Sequence, residues 1–222
     1  TSVSAGSHTF NVPIGVDGSS VAFTTNSGSV SFTQNFYLNA NTAVIGGAGN
    51  TSISGTISGS AGSNLIKDGS GTLTLTGTNT SFQGTATIQA GTVVAGNVDV
   101  FGPIANPLYF DGPTATLKLS GTVNNAARPY VMTQTGIIDT AGYNLTHAGI
   151  ISGPGGLTKT GTGTLTLESP ANTYGGTTTV QAGTLKVNSK AGDEIPNTGL
   201  VDVASGAQFL TVTAETIGAL SG

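Results

Sequence analysis

The chain has 222 residues, enough to bury a sizeable core, and only 7% of them are Asp, Glu, Lys or Arg. A hydrophobic fraction of 36% is low for a globular protein, but a disordered chain would carry more charge. Here the polarity comes from Thr, Ser, Asn and 35 glycines, a composition of short strands and turns. The net charge of −4 and pI near 4.8 argue against a nucleic-acid partner. The six basic residues, Lys67, Lys118, Arg128, Lys159, Lys186 and Lys190, are scattered and form no basic stripe. Zero cysteines mean stability without disulfides. No apolar run approaches the ~20 residues that cross a bilayer, so no membrane insertion is expected. The chain begins at Thr1 without a signal pattern and reads as a piece of something larger.

Along the chain, residues 1–44 share the composition but carry no motif. Gly46 to Thr51 reads as a turn; it has a faint likeness to a calcium-binding nonapeptide, with Thr51 where the carboxylate should be. Ile57-Ser58-Gly59 precedes a strand in which Leu73 and Leu75 alternate with Thr72, Thr74 and Thr76. Thr85–Ile88 alternates less cleanly, and Thr116–Leu119 places Leu117 and Leu119 inward. Between and after these, Asn97 to Pro113 and Asn124 to Tyr143 depart from the pattern with Phe101, Tyr109, Phe110, Arg128 and Tyr130 beside four prolines. Ile151-Ser152-Gly153 then opens a second alternating stretch with Leu165 and Leu167. The polar run Asn188 to Pro196 reads as a solvated loop containing Asp193 and Glu194.

An internal duplication decides the architecture. Residues 65–92 align without a gap on 157–184, an offset of 92 residues, with Lys67 on Lys159, Gly71-Thr-Leu-Thr-Leu75 on Gly163-Thr-Leu-Thr-Leu167, and Gln89-Ala-Gly-Thr92 on Gln181-Ala-Gly-Thr184. Short strands with one inward face and tight Gly- or Asn-containing turns are what a solenoid coil needs, whereas hairpins would favour Asn-Gly or Asp-Gly turns; no Asn-Gly occurs, and the Asp-Gly pairs are Asp17-Gly18, Asp68-Gly69 and Asp111-Gly112. We expect an all-β, right-handed parallel β-helix (solenoid) of about ten short coils of roughly 20–25 residues, about four to each 92-residue unit. The whole of 1–222 is expected to form a single domain, with repeat units at 65–94 and 157–187.

The phrase Gly155-Gly-Leu-Thr-Lys-Thr-Gly-Thr-Gly-Thr-Leu-Thr-Leu167, continued through Asn172-Thr-Tyr-Gly-Gly-Thr-Thr-Thr-Val180 to Gln181-Ala-Gly-Thr-Leu-Lys-Val187, resembles the autotransporter-associated β-strand repeat, or passenger-associated transport repeat. Residues 65–94 are a looser second copy, and the likeness covers about 45–213. What it implies is a β-helical passenger stem of a type V secreted protein, at the cell surface or secreted, exported across the outer membrane. Its own C-terminal β-barrel translocator would be a partner absent from this chain.

Chemistry is sparse. Carbohydrate-active β-helices set carboxylates roughly 5–10 Å apart, and the pairs to watch here are Asp99 with Asp111 and Asp193 with Asp202. Asp68-Gly69-Ser70-Gly71 is in the wrong order for a serine nucleophile motif, and the sister copy has Thr160-Gly161-Thr162-Gly163. His8 and His147 have no local zinc spacing, and no cofactor or metal is expected. The Thr ladders, Thr72/Thr74/Thr76 and Thr177/Thr179, suit an ordinary outward pleat better than a functional hydroxyl array. Candidate ligand contacts are Phe101, Tyr109, Phe110, Arg128 and Tyr130, if these stretches leave the solenoid as loops; the alternative is that the aromatics pack in the core. Three functions remain, in order: a non-catalytic stem supporting secretion and display, an adhesin segment binding a host-cell or bacterial surface ligand, and a carbohydrate-active enzyme. A monomer is expected.

Overall fold

The computed structural model describes residues 2–3, 5–97, 99–188, 194–212 and 214–222. Its strands pair in parallel, each with the strand one turn of chain away, and stack as a parallel β-helix. In one coil the chain runs through Thr42–Gly46, Asn50–Ile53 and Ile57–Ser58, then returns at Asn64–Lys67 to lie on Thr42–Gly46. Three faces result. One is an eight-stranded sheet and the second an eleven-stranded sheet; the third is divided into a three-stranded and a five-stranded sheet. Within the eleven-stranded sheet Thr92 pairs with Thr116 and Val201 with Leu220, so the step per coil runs from 24 down to 19 residues.

The core follows from strand alternation. In Thr72–Leu75 the leucines are buried and the threonines half-buried, and Asn64–Lys67, Thr85–Ile88 and Thr92–Ala95 repeat that pattern. Inward residues then stack in columns, such as Ile53, Leu75, Ala95 and Leu119. In the early coils the columns are aromatic: Phe10 stacks on Phe32 at 5.3 Å, and Phe23 and Phe36 meet Phe32 edge-on. Corners depend on backbone freedom. Gly69 and Gly161, which follow the two matched lysine strands, both take positive φ, +71° and +75°.

The two stretches expected to leave the helix as loops are mostly rungs of it. Leu108–Phe110, Val123–Ala126, Tyr130–Met132 and Gly136–Asp139 are all strands of the stacked sheets. Pro107 and Pro129 stand immediately before two of them, where a missing N–H is tolerated. The prolines read as loop signals in the sequence, but they mark corners. Only the segment around 99–107 departs, through a single turn of 3-10 helix at Asp99–Phe101.

Candidate functional site: the bridges of the repeat and the outer face

Lys67 points inward from its strand, in register with Ile45 and Ile88, and is only 3% exposed. Its ammonium reaches the corner and donates to the carbonyls of Asp68 (2.7 Å), Gly69 (2.7 Å) and Ala90 (3.2 Å). Two of these acceptors belong to its own coil and the third to the next, so one side chain ties two corners. Lys159 repeats the arrangement, donating to Thr160 (2.8 Å), Gly161 (2.8 Å) and Ala182 (3.0 Å). Burial lowers both lysine pKa values to about 8. Both therefore stay charged at neutral pH, with all three donors engaged.

The second bridge is an asparagine. Asn79 accepts from the Ile57 N–H at 2.7 Å and donates to the Val100 carbonyl at 2.7 Å, spanning the coil below and the coil above. Asn172 does the same between the Ile151 N–H (2.8 Å) and the Glu194 carbonyl (2.7 Å). In each copy the lower partner begins a two-residue strand, Ile57–Ser58 or Ile151–Ser152, that closes its sheet. The amide takes over the backbone bonding where the sheet stops. A lesser match lies outside the aligned repeat: Asn50 accepts from the Thr72 N–H, and Asn144 from the Thr164 N–H. Sequence comparison aligned the lysines but missed the asparagines, because Asn79 and Asn172 are 93 residues apart and fall one place out of the gapless alignment.

Of the five candidate contact residues, four are buried. Phe101 is 4% exposed, Phe110 0%, Arg128 1% and Tyr130 3%; Tyr109 alone is half-buried on an outward position. Arg128 clamps the departing segment, donating to the carbonyls of Phe101 (3.3 Å), Gly102 (2.7 Å) and Asn106, with its guanidinium 5.7 Å from the Phe101 ring centre. Tyr130 packs edge-on against Phe110 and stacks on His147 at 4.1 Å. Burial lifts the Tyr130 pKa to about 12 and pushes His147 down to about 3. His147 is a neutral core residue. His8 is exposed, with its ring beside the Ala5 carbonyl.

Among the carboxylates, Asp111 accepts from Thr133 (2.6 Å) and Asp202 from Ser221 (2.7 Å), while Asp139 pairs with Lys118 (3.3 Å). Asp193 lies outside the described residues. Glu194 is fully buried rather than solvated. Its backbone N–H and that of Ile195 donate to the Glu215 carboxylate at 3.1 and 2.7 Å. Burial, reinforced by a side-chain hydrogen bond with Glu194, raises the Glu215 pKa to about 7. The adjoining Ile195 is likewise fully buried and turns this stretch inward. No group of three or more metal-ligating side chains occurs among the described residues.

The family model of the passenger-associated transport repeat matches residues 65–95 and 157–187, the two segments that carry the lysine bridges. The chain therefore carries two copies of the passenger-associated transport repeat. It is also 34% identical over 131 positions to the Adhesin BmaC autotransporter of Brucella suis biovar 1 (strain 1330). The likeness covers 59% of this chain and 4% of that protein. No solved structure matches. Both matches support export across the outer membrane, to the cell surface or beyond it.

Proposed function

We propose that this segment is a non-catalytic, self-bracing stem that supports outward folding and display of the passenger. The observation that carries this reading is the pair of matched bridges, in which Lys67 with Asn79, and Lys159 with Asn172, tie successive coils through buried side chains. Such bonds form only when the next coil arrives, so each added coil fixes the one before it. The test is made on the parent protein in cells, with Lys67→Met, Lys159→Met, Asn79→Ala and Asn172→Ala combined, scoring surface display and cell attachment separately. A stem predicts that display and attachment fall together. If both stay at the wild-type level, the stem reading is wrong.

An adhesive role for this segment itself is the second reading. It is favoured by the similarity to a protein named as an adhesin and by the outward position of Tyr109. Tyr109→Ala in the same cells, with normal display and lost attachment, would select it.

A further inference from the structure

The outer face of the eight-stranded sheet carries a polar column, Thr42, Asn64 and Thr85, beside a largely apolar one. On the eleven-stranded sheet one outward column runs through Ser29, Asn50, Thr72, Thr92 and Thr116, with a polar side chain at every step. On the eight-stranded sheet an outward column runs through Val44, Ile66, Thr87, Tyr109 and Val131, apolar apart from a threonine and a phenol tip. At Tyr109 this face forms an open groove of about 300 Å³ lined by Thr85, Thr87, Tyr109, Asp111 and Thr133.

Asp111 follows Tyr109 by two residues and so rises on the same side of the sheet, where Thr133 from the next coil hydrogen-bonds one of its oxygens at 2.6 Å. The groove thus offers an aromatic platform, one carboxylate and three hydroxyls, with no cation among its lining residues. That carboxylate disfavours an anionic ligand on charge. The Tyr109 backbone is already paired on both sides, with Thr87 and Val131, so an extended peptide has no sheet edge to join here. A ligand that suits the remaining chemistry has a flat C–H face for the ring and hydroxyl donors for the carboxylate.

We propose that this groove binds a neutral saccharide unit, stacked on Tyr109 and hydrogen-bonded to Asp111. The stem reading does not depend on it, and the stem variants leave these five residues intact. The experiment titrates the purified chain with neutral gluco-, galacto- and manno-tetrasaccharides and a sialylated oligosaccharide, following binding by NMR line shifts. We expect at least one neutral probe to bind. Tyr109→Ala is expected to weaken it about tenfold or more, as loss of an aromatic anchor does, and Asp111→Asn to weaken it as well. Tyr109→Phe should keep most of the affinity, and Thr74→Ala, on the other sheet, all of it. Thermal melting matched to wild type confirms that the variants are folded. The proposal is overturned if no neutral probe binds, if Tyr109→Ala binds as tightly as wild type, or if only the sialylated sugar binds.

Discussion

Lys67 and Lys159 hold the same place in the duplicated sequence but sit on different sides of the rod. Lys67 belongs to the eight-stranded sheet, between Ile45 and Ile88; Lys159 belongs to the eleven-stranded sheet, between Ile138 and Val180. Leu73 and Leu165 are displaced in the same way, from the eleven-stranded to the five-stranded sheet. Four steps up the eleven-stranded sheet lead from Leu73 through Val93, Leu117 and Ile138 to Lys159, which is 86 residues. The remaining six residues of the 92-residue offset carry the second copy around one corner. The repeat is therefore a local bracing unit that fits on more than one face, and it does not mark one side of the rod.

This separates two deletions of nearly equal size. Removing residues 73–164 joins Thr72 to Leu165 and puts Ala182 at the spacing from Lys67 that Ala90 holds, with every later face turned by one side. Removing 73–158 keeps the faces aligned but takes Ala90 from Lys67 and does not put Ala182 at that spacing. We expect the first chain to unfold in urea as cooperatively as wild type. The second should be less stable by about 2 kcal/mol or more, since buried bridging bonds go unmade. Equal stability of the two would show that face alignment matters as much as the repeat.

Substituting the lysines tests their bridges directly. Lys67→Met keeps the apolar stem but leaves three corner carbonyls without their shared donor, and Lys159→Met does the same. Each should cost about 1–3 kcal/mol in urea unfolding. With four coils between them, the two losses should add in the double variant.

The β-helix was legible because period-two alternation and the 92-residue duplication are both written in side chains that face inward. Leu73, Leu75, Leu165 and Leu167 needed no structure to place them. The phase of the copies was not legible, because it depends on coil lengths of 19 to 24 residues that no single motif fixes. The contact candidates suffered from the same gap. Pro107 and Pro129 hid the alternation of Leu108 with Phe110 and of Tyr130 with Met132, so inward aromatics looked like loop residues. Tyr109 stands apart because it is the odd position between two inward ones. Glu194 was missed since its partner, Glu215, arrives only one coil later.

That carboxyl pair makes the last coils sensitive to pH. Glu215 titrates near 7 in the folded protein against an ordinary 4.5, so the folded state holds its proton more tightly than the unfolded state does. Stability of this region should fall as pH rises from about 4.5 to about 7 and level off above. Amide exchange at Glu194 and Ile195, whose N–H groups meet the carboxylate, reports it. Glu215→Gln should flatten the dependence; an unchanged slope would place the titrating group elsewhere.

His147 acts in the opposite direction. Its ring is fully buried against Tyr130, and neither nitrogen has a hydrogen-bond partner among the described residues, so burial holds its pKa at about 3 against an ordinary 6.5. Below pH 6.5 the unfolded chain takes up a proton that the folded core refuses, and stability drains away as pH falls toward 3. Replacing His147 with Phe keeps a flat ring beside Tyr130 and removes the titration. In urea unfolding between pH 7 and 4, His147→Phe should lose less stability on acidification than wild type. Over the same range the Glu215 contribution, now unopposed by the histidine, should make its C-terminal coils firmer toward acid. If wild type and His147→Phe decline in parallel, His147 is reached by water in the native state and the closed core at Tyr130 is wrong.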